Sequence, residues 1–89
     1  MSDLELPVVH LNGTSAESLS EQFRAAKTAL EYALEACSKA APHGRDYYPS
    51  GSGSYTRATK QYIARQQKLV DVLQEVTEIY EHVIEKGSL

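Results

Sequence analysis

Leu19, Phe23, Ala26, Leu30, Ala33, Cys37 and Ala40 recur at alternating steps of four and three. This is the heptad-like stripe of a helix that packs on another helix, and its small members allow close approach. Thr14-Ser15-Ala16-Glu17 fits a capping box ahead of it, with the Thr14 hydroxyl and the Glu17 carboxylate satisfying exposed amides. Pro42 ends the pattern, because the residue before a proline is pushed out of helical geometry. The spacing therefore predicts a first helix over residues 15–41, a rod of about 40 Å. A second pattern predicts a helix over 55–86, with Gly87 as its stop. Its apolar residues (Leu69, Val70, Val72, Leu73, Val76, Ile79, Tyr80, Val83, Ile84) spread over nearly half the circumference at about 100° per residue. One partner helix covers less than that. The surplus predicts an interface between chains, with Val76→Asp expected to dissociate it.

Residues 1–14 read as an N-terminal arm and turn. The first five are expected to be mobile, and Leu6-Pro7-Val8-Val9-His10-Leu11 is apolar and barred from helix by Pro7, hence an extended arm lying across helical surface. Asn12-Gly13 is a turn signal. The fold expected is all-α: one domain of two long antiparallel helices, a helical hairpin with a short extended arm. A hairpin this small buries little apolar surface per residue, so assembly into a homo-oligomeric bundle is the expected source of further stability.

Composition narrows the function. The net charge of −3 excludes a chain that coats DNA or RNA through a basic face. The charge is nevertheless polarised: residues 45–70 carry +4 and residues 71–89 carry −4. The single Cys37 excludes an internal disulfide, and no Cys/His cluster has metal-ligand spacing. The start of the chain is acidic where a signal peptide needs a basic region, and no apolar run approaches a membrane span. The chain reads as soluble and intracellular, with no cofactor.

Candidate chemistry gathers between the helices. The connection over 42–54 is longer than the ~2–8 residues usual in helical hairpins. It carries Arg45, Asp46, Tyr47 and Tyr48, then a Ser-Gly run able to follow a ligand. An arginine suits a phosphate in forked geometry and a tyrosine stacks on a base. Equally, Asp46 could cap the turn and pair with Arg45 while both rings pack on the hairpin end. Arg57, Lys60, Arg65 and Lys68 follow in the second helix, where a helix start ordinarily favours acids. They suit a compact anion or, in an antiparallel pair of second helices, a partner's acidic half. Arg24 and Lys27, after the Asn12-Gly13-Thr14 turn, could join free helix-start amides in holding an anion, or be solvated. Tyr55 and Tyr62 read as core. Nothing supports catalysis: no phosphate-cradling Gly-rich loop is present, Cys37 lies on the apolar stripe, and the Glu75, Glu78, Glu81, Glu85 series reads as a solvated face.

His10-Leu11-Asn12-Gly13-Thr14-Ser15, one amphipathic helix, Ala-Ala-Pro-His-Gly-Arg-Asp-Tyr-Tyr (residues 40–48) and a second helix occur in that order. This arrangement resembles the small phage helical-hairpin proteins that sequester nucleotide immune signals and so block the bacterial CBASS and Thoeris defences. The resemblance spans residues 8 to 86. It implies a sponge in the cytoplasm of the infected host cell that binds cyclic oligonucleotides or cyclic ADP-ribose isomers without hydrolysing them. It further implies a homo-oligomer, commonly a hexamer, with pockets between protomers. Carried over, its motifs place Asn12, Gly13, Thr14, Arg45, Asp46, Tyr47 and Tyr48 at or near such pockets. Arg24, Lys27, Arg57 and Lys60 are added from the charge pattern alone. A protein-binding inhibitor of a host enzyme and a purely structural oligomeric bundle are the alternatives.

Overall fold

The computed structural model describes residues 3–87, so Met1 and Ser2 of the predicted mobile lead-in lie outside the described residues. The first helix begins where a hydroxyl can replace a missing intrahelical acceptor. Ser15 Oγ accepts from the Ser18 amide at 3.1 Å, and α1 runs over Ala16–Ser38. The cap is Ser15 rather than the expected Thr14, which places Ser18 where a capping box needs Glu or Gln. At the far end the Ala40 amide donates to Cys37 O at 3.0 Å and the Ala41 amide to Ser38 O at 3.3 Å. These tight i→i+3 closures stop α1 at Ser38, three residues short of the expected boundary.

The second long helix, α2, spans Ser54–Gly87, and the two helices pack together antiparallel. Ala16 meets Gly87 at one end, and Gln66 Nε2 donates to Leu34 O at 3.4 Å nearer the loop. Among the described residues there is no strand. The α1 stripe is as expected from Leu19 to Cys37: Leu19, Phe23, Ala26, Leu30, Ala33 and Cys37 are all half-buried, on the side that faces α2, whereas Ala40 lies past the end of α1 and is exposed. Opposite them, Tyr62, Gln66, Leu69, Leu73, Val76, Tyr80 and Val83 form the seam of α2 at the same alternating steps. Val76 therefore belongs to the packing within one hairpin, and Val76→Asp would damage the hairpin itself rather than report on an interface between chains.

Gly87 is the last described residue of α2 rather than a stop beyond it. A Cβ there would sit 2.5 Å from the Cβ of Ala16, so the glycine is what lets the helix ends close together. The arm is fastened nearby. His82 Nε2–H donates to Pro7 O at 2.9 Å, which draws residues 3–10 along α2. Gly13 N donates to His10 O at 3.2 Å, making the Asn12-Gly13 turn that delivers the chain to α1.

The hairpin is thin. Val83, at 0% exposure, is the one fully buried side chain among the described residues. The molecule measures 61 × 23 × 17 Å, with a radius of gyration of 18.6 Å against about 12 Å for a compact chain of this length. It exposes 6700 Å², where a compact monomer of this mass exposes about 5200 Å². Roughly 1500 Å² is thus exposed in excess of a compact domain.

Polarity within the seam weakens one half of it. Gln66 Oε1 and Thr59 Oγ1 are buried without a hydrogen-bond partner, each a cost of about 1–3 kcal/mol. Gln66→Leu removes one orphaned acceptor at the expense of a long, weak bond to Leu34. Thermal unfolding should show it more stable by about 1 kcal/mol. An equally large loss would mean that the Gln66 amide is a net stabilising tie between the helices.

Candidate functional site

The connection between the helices is ordered by its own backbone rather than free to follow a ligand. Two short 3-10 turns, Gly44–Asp46 and Tyr48–Ser50, fill it. The Asp46 amide donates to His43 O, the Tyr47 amide to Gly44 O and the Ser50 amide to Tyr47 O, each at 3.0 Å. Gly51 and Gly53 then adopt φ of 103° and 85°, a region that side chains resist. The Ser-Gly run is therefore a shaped entry to α2. At Gly53 the missing side chain has a second use, because Arg57 Nη1 lies 3.1 Å from where a Cβ would stand. The Arg57 guanidinium folds back over the start of its own helix.

This turn sorts the four loop residues. Tyr47 is half-buried, and its ring lies 6.4 Å from that of Tyr55 at a 44° tilt, so it builds the corner. Tyr48 is 76% exposed, and Arg45 and Asp46 also face water. Among the described residues no ion pair joins Arg45 to Asp46, and Arg57, Lys60, Arg65 and Lys68 likewise have no acidic partner there. Asp46 is the sole carboxylate from residue 36 to residue 70. The loop end of the rod thus presents cations without ion-pair partners among the described residues, together with the open ring of Tyr48 and the partly exposed ring of Tyr55.

The opposite end carries the other predicted motif. Asn12, Gly13 and Thr14 are exposed beside the start of α1, and the imidazole of His10 lies over Gly13, 2.7 Å from where a Cβ would be. At 1.5 Å per residue, the 23 residues of α1 hold this turn about 35 Å from the loop. One chain therefore does not bring the two motifs together. Nor does it bring Lys27 to the turn, since eleven residues of helix put its Cα about 17 Å beyond Ala16. Lys27 Nζ instead donates to Glu31 Oε2 at 2.8 Å. That hydrogen bond and the charge on Glu31 raise the Lys27 pKa above its ordinary value. Arg24 is exposed on α1 between the two ends.

A broad groove along the arm has the wrong sign for an anion. A groove of about 1050 Å³ separates the arm from α2, and Asp3 and Glu5 face Asp71, Glu75, Glu78 and Glu81 across it. Phosphate is repelled there, which leaves the loop end as the candidate. Among the described residues no group of three His, Cys, Asp or Glu side chains is placed to hold a metal ion. Among the described residues no helix is long and apolar enough to cross a membrane. The division between a building Tyr47 and an open Tyr48 was not legible beforehand, because it depends on which ring the 3-10 turns aim at Tyr55. Comparison of the chain with protein-family models, curated proteins and solved structures returns no match.

Proposed function

We propose that this protein captures cyclic nucleotide signals, cyclic di- or trinucleotides or cyclic ADP-ribose isomers, and holds them intact. In a phage-infected cell that capture would silence CBASS or Thoeris effectors by removing their activator. The observation that carries the reading is the loop end itself: Arg45, Arg57 and Lys60 have no ion-pair partner among the described residues, and Tyr48 in the same connection is exposed. A cyclic dinucleotide offers two phosphates and two bases, and pairing two copies of the chain doubles one arginine and one tyrosine into the matching set. Arg45 and Arg57 would clamp phosphate and Tyr48 would stack on a base, while Tyr47 and Asp46 shape the loop. In this reading Asn12, Gly13 and Thr14 reach the same guest from another protomer of a homo-oligomer, commonly a hexamer in the proteins this chain resembles.

Calorimetric titration with a panel of cyclic dinucleotides, cyclic trinucleotides and cyclic ADP-ribose isomers tests this. Saturable heat with at least one member, followed by recovery of the unchanged nucleotide after heat denaturation, is the expected outcome. Silence across the panel would end the proposal, and a cleaved product would make the protein an enzyme. A second reading, an inhibitor or bundle that docks on a host protein, draws support from Leu11 and Val8, which are 99% and 75% exposed on the arm.

A further inference from the structure

The arm meets α2 at Pro7 and stands off it on the side toward Asp3. At Pro7 the carbonyl oxygen accepts from His82 Nε2–H at 2.9 Å. From there toward α1 the chain turns back on itself, with the Gly13 amide on His10 O at 3.2 Å. In the other direction residues 3–6 form one wall of the groove of about 1050 Å³, and α2 forms the other. Pro7 confines Leu6 to extended backbone, so residues 3–6 move as a short lever of about 13 Å rather than crumpling. Measured back from His82 at 1.5 Å per residue, that lever ends near the level of Gln74, and Gln74 does line the groove.

Two forces act on the lever in opposite directions. Asp3 and Glu5 on its own wall face Asp71, Glu75, Glu78, Glu81 and Glu85 on α2, and no lysine or arginine lines the groove among the described residues. Like charge therefore pushes the walls apart. Leu4 and Leu6 also line the groove, and Leu6 is still 38% exposed. Closure withdraws that apolar surface from water, which favours it. Distance decides how evenly the two are matched. Spread along the lever, the volume makes a groove roughly 9 Å across. The screening length is about 30 Å in 0.01 M salt, about 8 Å at physiological ionic strength and about 3 Å in 1 M salt. Repulsion across the groove is thus strong at low salt, partial in a cell and nearly absent at high salt.

We infer that residues 3–6 are a flap hinged at the Pro7–His82 hydrogen bond, held off α2 by the facing carboxylates and closing on it when their charge is screened or neutralised. Open, the flap leaves the outer face of α2 between Asp71 and Glu81 accessible. Closed, it covers that face and shields Leu6. Ionic conditions, acting on carboxylates of two separate elements, then decide whether a partner can reach this part of the helix. The flap acts within one hairpin and is independent of nucleotide capture, whose candidate site lies at the far end of the rod.

A distance across the groove tests it. In a Cys37→Ser background, Leu4→Cys and Gln74→Cys carry nitroxide labels on opposite walls, and neither substitution alters the charge. Circular dichroism checks that the helical signal is kept. Electron paramagnetic resonance should show the distance between labels shortening by several ångströms as salt rises from about 0.01 M to about 1 M. Adding Glu75→Gln and Glu78→Gln should shorten it already at low salt and remove most of the salt response, which separates charge from any general effect of salt on apolar contact. A distance that ignores both salt and the Gln substitutions would overturn the inference, since chain geometry alone would then hold the groove open. Lengthening with salt would overturn it as well. His82→Ala should broaden the distance distribution; a distribution left as narrow as before would show that the Pro7–His82 bond is not the hinge.

Discussion

Val83→Asp should leave this chain without a stable hairpin. Val83 is wholly shielded from water where the end of α2 meets the start of α1. A carboxylate introduced there has no cation to meet, and an uncompensated buried charge costs roughly 3–5 kcal/mol. A hairpin with a single fully buried side chain has little reserve, since whole domains are stable by only about 5–15 kcal/mol. Far-UV circular dichroism should show most of the helical signal lost at room temperature. Ile84→Asp, one residue along but 44% exposed, should keep the helical signal. A cooperative melt of Val83→Asp near the wild-type temperature would mean that contacts between chains, not the hairpin seam, hold the helices together.

Under the proposed function, joint replacement of Arg45 and Tyr48 by alanine should weaken nucleotide capture by about 10²–10⁴-fold. A charge-assisted contact to phosphate is worth about 1.5–3 kcal/mol and a base stacked on an aromatic ring about 1–3 kcal/mol. Both side chains face solvent in the free hairpin, so helicity and solution mass should not change. Tyr47→Ala gives the contrast. It removes the ring packed against Tyr55 and should loosen the loop, lowering the melting temperature along with affinity. Undiminished affinity in the Arg45→Ala/Tyr48→Ala chain would move the site away from the loop end.

The two helices, the stripe of α1 and the place of the connection between the helices were legible because each rests on local chemistry. The four-and-three spacing from Leu19 to Cys37 fixes one face of α1 whatever its partner, and Pro42 forbids continuation. What was not legible depends on choices between near-equals. Thr14 and Ser15 both offer a capping hydroxyl, and the structure uses Ser15, whose extended backbone sits immediately before the first helical residue. Gly87 reads as a helix stop in isolation; its actual use, room for Ala16, is a contact 71 residues away in the chain. The broad apolar arc of α2 could not be divided without knowing where α1 lies. That is why the spacing alone places Val76 at an interface between chains while the structure places it in the hairpin seam. For the site, the residue types and the helix-length separation of the two motifs were readable, since residues 15–41 already read as one rod. Which loop side chains pack and which stay open was not, because that depends on the 3-10 turns that bring Tyr47 to Tyr55.

The account stands on the claim that a single hairpin is an unfinished object, with too much exposed surface and two half-sites facing away from each other. Light scattering on the purified full chain at micromolar concentration tests it most directly. The account predicts a mass that is an integer multiple of 9.8 kDa, two or more copies, persisting on dilution. A well-folded particle of 9.8 kDa with a cooperative thermal transition would contradict it, and with it the composite site.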